Sequence, residues 1–290
     1  ATASGAEIRG PEGVGHSAVL DRGNVSSGAN VFELQNADGV VLSHLVMKGA
    51  YEGVYAGSSS DSDGVRIEAS EIWGNASSGV YAAASNDSWR VVDSVVHDNG
   101  TYGVYLAGAD AEVVTEVVGA EVYGNQSGVD LRGSGALVEG VEIYGNSQYG
   151  INAYSAGAGT EIRNGEVHDN GTAGIYASDN VLVEGNRVYG HSGSNDAGIR
   201  LVGGRAVGNE VYGNYYGIDG SGEIEGKRVY GNTAVGIHGT GSGSIEGNVV
   251  YTNPVGVKVD AGVLGVSVDI RNNLIYDNAN QGLVINYGGL

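Results

Sequence analysis

One four-residue phrase recurs through the chain: a Val or Ile, an aromatic ring, a Gly or Asp, and then Asn. Copies include Ile72-Trp73-Gly74-Asn75, Val96-His97-Asp98-Asn99, Ile143-Tyr144-Gly145-Asn146, Val211-Tyr212-Gly213-Asn214 and Ile275-Tyr276-Asp277-Asn278. Ten copies stand at intervals of 18–26 residues, and Asn closes nine of them, with His191 in the remaining one. A period of that length belongs to stacked repeats rather than to a closed globule. Each apolar run is a few residues long, alternates with polar residues and stops at Gly or Asn, so the phrase ends a short strand and opens a turn.

A second signal follows each Asn: Gly and then Ile or Val, as in Gly79-Val80, Gly128-Val129, Gly174-Ile175 and Gly236-Ile237. A third, looser turn appears as Glu184-Gly185-Asn186 and Glu246-Gly247-Asn248, but reads Gly140-Val141 and Gly226-Lys227 elsewhere. Three strands and three corners per repeat, paired in parallel between repeats about 4.8 Å apart, describe a parallel β-helix of about 11–12 coils. The strict six-residue beat of left-handed helices is absent, which selects the right-handed, all-β form. Asn tolerates the left-handed turn conformation, and its amide can bond the amides of the coils above and below, so an asparagine ladder is expected. Residues 1–290 read as one domain whose first 50 residues are the least regular, since a solenoid lengthens without thickening its core. The Ala1-Thr2-Ala3-Ser4 start and the Gly-Gly-Leu290 end read as a mature or excised piece of something longer.

Composition narrows the partners. Thirty-four acidic against 14 basic residues give a net charge of −20, which repels nucleic acid and anionic lipid. No apolar run is long enough to cross a membrane. Absence of cysteine excludes disulfides and thiol catalysis. A polysaccharide is the expected partner, the chain is expected to be secreted and monomeric, and Ca²⁺ is the one ion to consider, at Asp61-Ser62-Asp63 or Asn195-Asp196, with plain solvated carboxylates as the competing reading of both loops.

Because alternate strand residues face opposite ways, the Val/Ile positions fix the interior and their neighbours the surface. The outward row of the aromatic strand holds Trp73, Tyr123, Tyr144, Tyr189, Tyr212, Tyr230, Tyr251 and Tyr276, with His97 and His168 among them. Stacked rings of this kind either brace neighbouring coils or offer apolar faces to sugars. Beside them run Glu71, Glu121, Glu142, Glu166 and Glu210, expected to be a solvated face. The outward row of the Gly-Ile strand ends in Tyr176, Arg200, Asp219, His238 and Lys258 on consecutive coils. A cation to hold a sugar carboxylate, a base and an opposing donor are what elimination or epimerisation at a uronic acid requires. The competing reading is a surface of alternating charge.

The stretch Asp93-Ser94-Val95-Val96-His97-Asp98-Asn99-Gly100, with its many Tyr-Gly-Asn turns, resembles the right-handed β-helix catalytic modules of secreted mannuronan C-5-epimerases. The closer likeness spans Glu71 to Gly100, and it implies their fold and a polysaccharide partner. In that family the preceding strand carries Gly-Phe-Asp-Pro-His-Glu, whose Asp and His belong to the active site. Here the span is Gly79-Val80-Tyr81-Ala82-Ala83-Ala84, so Tyr81 stands in place of the Asp and Ala83 in place of the His. The family's catalytic residues therefore do not carry over.

The expectation is a secreted, non-catalytic β-helix module of a larger protein that is structural or contacts glycan. A lyase, epimerase or hydrolase acting along 176–258 is the alternative, and a tailspike-like or adhesin fibre is a further one.

Overall fold

The computed structural model describes residues 5–13, 17–108, 114–178, 180–261 and 267–287; the terminal tetrapeptide and the Gly-Gly-Leu end lie outside the described residues. Regular structure in that set is all β-strand, and the strands pair in parallel with the same residue of the next repeat. Three rows of strands result. The first begins at Phe32–Glu33, Val54–Ala56 and Val80–Ala82 and ends at Gln281–Tyr287. The second runs from Glu7–Arg9 and Val41–Ser43 to Val268–Arg271. The third is a separate sheet of twelve strands from Ala18–Asp21 to Leu274–Tyr276.

Apolar residues of all three rows converge on the axis. Ile151, Ile162 and Ile143, one from each row of neighbouring coils, are essentially without solvent contact. Burying each such side chain contributes about 1.5–3 kcal/mol, which is what holds short strands in one stack. Trp89 fills the corner between the first and second rows and is fully buried, with its indole N–H donating to the Ser62 carbonyl at 2.7 Å. Farther along, that corner nearly vanishes. Ala197–Val207, Tyr216–Glu225 and Val235–Glu246 run without a break through both rows, bending at glycines such as Gly203 (φ 78°) and Gly204 (φ 72°). The first two rows consequently fuse into one sheet of 21 strands.

The recurring phrase has a direct mechanical meaning. Its third residue sits in the left-handed region, as at Asp98 (φ 52°) and Gly145 (φ 62°), which accounts for Gly or Asp there. Its Asn then turns inward and links coils. The Asn146 amide nitrogen donates to Asn170 Oδ1 at 2.9 Å and reaches the carbonyls of Val122 and Tyr144 at 3.2 and 3.1 Å. Asn146 Oδ1 in turn accepts from the backbone N–H and the side-chain amide of Asn125. The glycine that follows each turn is the counterpart of this ladder. A Cβ on Gly128 would stand 2.6 Å from the Gly150 carbonyl oxygen and 3.0 Å from Asn146 Nδ2. No larger residue fits beside the amide.

Candidate functional site

Two outward faces carry the chemistry. On the third row the aromatic residues form an unbroken external stack from Trp73 to Tyr276, including His97 and His168, with ring centroids 4.7–5.8 Å apart and planes within 3–11° of parallel. Lys48 closes its first end, 4.6 Å above the Trp73 ring. Both faces of each interior ring are therefore covered by neighbours, and only edges meet water. Four of the five glutamates beside the stack, Glu71, Glu121, Glu166 and Glu210, are hydrogen-bonded to its rings, while Glu142 is exposed as expected of a solvated face. Tyr144 donates to Glu121 at 2.7 Å, Tyr189 to Glu166 at 2.7 Å and Tyr230 to Glu210 at 3.0 Å. The Glu121 hydrogen bond pushes the Tyr144 hydroxyl up to about 12, while partial burial together with a carboxylate partner does the same for Tyr189 and Tyr230. Both histidines of the stack are clamped by the Asp that follows, His97 by Asp98 and His168 by Asp169, each at 2.9 Å. Stacking contributes about 0.5–1.5 kcal/mol per ring pair, so the face is a brace along the whole length.

The first row brings Arg200, Asp219, His238 and Lys258 onto successive coils in register. They form a chain of ion pairs. Arg200 lies 3.4 Å from Asp219 and donates to the Asn195 carbonyl at 2.7 Å. His238 is held from both sides, Nδ1 against Asp219 at 2.9 Å and Nε2 against Asp260 at 2.8 Å. Lys258 donates to Asp260 at 2.6 Å, and Asn286 donates to the other Asp260 oxygen at 2.7 Å. Two carboxylates can be served at once only by an imidazole that carries both protons. Burial opposes that charge, yet Asp219 and Asp260 together raise the His238 pKa. Burial also opposes ionisation of Asp260, but the hydrogen bonds from Lys258, His238 and Asn286 hold its carboxyl far below the usual range.

Tyr176 joins this row by register, opposite Arg200, but its ring belongs to another group, stacked with Tyr154 at 4.8 Å and Tyr149 at 5.6 Å. Two essential partners, Asp260 and Asn286, were not among the sequence candidates. They lie two residues beyond the row position, on the next outward position of the same strand, and that spacing was the available signal. The same arrangement occurs earlier in the row. Asp130, the register partner of Tyr105 and Asn152 in this row, is only 1% exposed, because Arg132 clamps both of its oxygens and Asn152 donates to one at 2.8 Å.

Among the described residues no three His, Asp or Glu converge as a metal site. Asp61-Ser62-Asp63 instead ties coils together: Asp63 Oδ1 accepts from the Asp87 N–H, Asp38 Oδ1 from the Asp63 N–H, and Ser62 donates its backbone N–H to Asn86.

Comparison with known proteins fits this geometry. Residues 103–220 match the family described as right handed beta helix region. The chain is a right-handed parallel β-helix. Residues 11–135 also match the periplasmic copper-binding protein (NosD) family. No curated protein matches the sequence. Among solved structures, the A-module of the Azotobacter vinelandii mannuronan C-5 epimerase AlgE6 is similar at a TM-score of 0.70 and 13% identity, over 98% of this chain and 91% of that one. The periplasmic alginate epimerase AlgG is similar at 0.54 and 16% identity, over 88% and 74% of the two chains. The Dettilon tailspike protein is similar at 0.56 and 16% identity; 97% of this chain spans 61% of that one. At these identities the likeness is one of fold.

Proposed function

We propose that the chain is a non-catalytic β-helix module of an extracytoplasmic protein, acting as a rigid spacer that contacts polysaccharide. One observation carries the reading: His238, the base candidate, has both ring nitrogens committed to carboxylates, and Arg200 and Lys258 are paired to the same two acids. A general base needs a free lone pair, and a cation that polarises a sugar carboxylate must be available to it. Neither condition is met in the row. The epimerase-like neighbours and the periplasmic NosD and AlgG matches support a polysaccharide partner outside the cytoplasm.

Incubation with alginate, pectin and chondroitin, with and without Ca²⁺, tests it by absorbance of unsaturated products and by NMR of epimerised units. The expected result is no turnover of any of the three, with glycan binding read separately on an array that carries neutral and acidic glycans. A second reading, a lyase or epimerase of uronic-acid glycans, draws on two cations, Arg200 and Lys258, flanking one imidazole on one face. Turnover that disappears in His238→Ala or Arg200→Ala would replace the first reading with the second. A tailspike-like fibre would show an oligomeric mass in solution at every concentration, whereas a spacer module is expected to remain a monomer.

A further inference from the structure

Near the start of the first row, a groove of about 540 Å³ is lined by Asn30, Glu33, Glu52, Tyr55, Ser77 and Tyr81, with the exposed Ser27 also on its wall. It differs from the two faces already described in what it leaves unsatisfied. Tyr55 stacks on Tyr81 at 5.6 Å and 21°, looser than the 4.6 Å and 7° of Tyr81 on Tyr105. On its other side the register partner of Tyr55 is Glu33, whose carboxylate is turned to Gln35 at 2.7 Å. One face of Tyr55 thus has no ring upon it among the described residues.

The polar groups of the groove are equally under-used. Glu52 is 5% exposed and, among the described residues, its carboxylate receives a single long hydrogen bond, from Ser77 at 3.4 Å. Burial pushes its carboxyl up to about 7, so near neutrality it both donates and accepts. Asn30 Oδ1 is buried without a hydrogen-bond partner among the described residues. Buried polar atoms left in that condition are costly, and a ligand rich in hydroxyls would satisfy them. No Lys or Arg lines the groove, while two glutamates do, so a sugar carboxylate has no counter-charge there.

We propose that this groove binds a neutral pyranose unit of a glycan, its apolar face on Tyr55 and its hydroxyls on Glu52, Asn30 and Ser77. The proposal rests on the glycan-contacting reading and names the site and sugar class for it. An aromatic face beside a few convergent polar groups is the usual build of such a site.

The test is titration calorimetry with hexasaccharides of glucose, mannose and N-acetylglucosamine, and with hexamannuronate as the acidic comparator. At least one neutral hexasaccharide is expected to bind, with affinity lowered tenfold or more by Tyr55→Ala. Ser27→Trp, which adds bulk to the groove wall from an exposed position outside the ring stack, is expected to give the same loss. Glu52→Gln, uncharged and of equal size, is expected to stay within threefold of the parent. Neutral-sugar binding that survives both Tyr55→Ala and Ser27→Trp places the site elsewhere and overturns the proposal. Binding of hexamannuronate alone overturns the groove but leaves the glycan-contacting reading standing; binding of none of the four overturns both.

Discussion

The solenoid has two inward polar corners, and they are built to different rules. The corner after the third row is Asn in every coil from Asn75 to Asn278 except at His191. The corner between the second and third rows runs Ser70, Ser94, Ala120, Val141, Gly165, Asn186, Asn209, Lys227, Asn248 and Asn273. Both are closed: Ser94, Val141, Asn209 and Lys227 are all buried, so the second is more varied without being looser. The difference lies in what faces each corner. Across from the first stands the glycine column, in which a Cβ would come within about 3 Å of the amide, so Asn and Gly require one another. No such column faces the second, where a Ser hydroxyl or plain backbone pairing serves: Ser94 Oγ accepts the Ser70 N–H, and Glu142 N–H reaches the Ala120 carbonyl.

Mutations that test this contrast are ordered by expected effect. Asn146→Ala removes the acceptor of two Asn125 donors and leaves two carbonyls short of a donor, which should cost about 3 kcal/mol; Ser94→Ala at the other corner should cost about 1 kcal/mol. Urea midpoints for both variants measure the gap, and equal losses would dissolve the distinction.

Acid comes next, through His191. Its Nδ1–H donates to Asn214 at 2.9 Å and its Nε2 accepts from Asn170 at 3.3 Å, so the neutral ring reproduces the donor–acceptor order of an Asn. Burial lowers its pKa to about 4 from the ordinary 6.5. As pH falls, the unfolded chain binds this proton first. The contribution of the neutral ring is complete above about 6.5 and is lost as pH falls through about 4, amounting to about 3 kcal/mol. Thermal melts of the parent and His191→Asn between pH 7 and 4 should diverge by that amount, the parent losing more; parallel curves would show that the ring is not a weak point.

Lys227 is the smallest of the three and has the opposite sign. Its side-chain nitrogen is buried in the second corner, with only the Glu225 carbonyl at 3.5 Å among the described residues, and burial lowers its pKa strongly. Lys227→Asn would join Asn209 to Asn248 and should stabilise by about 1–2 kcal/mol, read as a higher Tm. A lower Tm would mean that the aliphatic stem contributes more packing than the amide contributes bonding.

Periodic features were legible because each is written ten times: the asparagine corner, the glycine column, the enclosed Val/Ile rows and the outward rings follow from alternation and turn chemistry. What escaped was contact between coils at positions the repeat does not fix. Asp260 takes the second nitrogen of His238 and Asn286 holds Asp260 in place, but both sit on a second outward position whose occupants change from coil to coil. The glutamates beside the rings looked solvated because alternation says only that a residue faces out, not that a tyrosine hydroxyl leans across one coil to meet it. Tyr55, Glu52 and Asn30 raise no signal in sequence, since their meaning lies in missing partners.

The asparagine links also have a direction. From Asn75 to Asn99, Asn125 and Asn146, each side-chain amide donates toward the following coil and accepts from the preceding one. Aligned in this way, the amide dipoles add instead of cancelling, and each bond polarises the next. The ladder thus carries a dipole along the solenoid axis, with each amide nitrogen facing the following coil and each amide oxygen the preceding one.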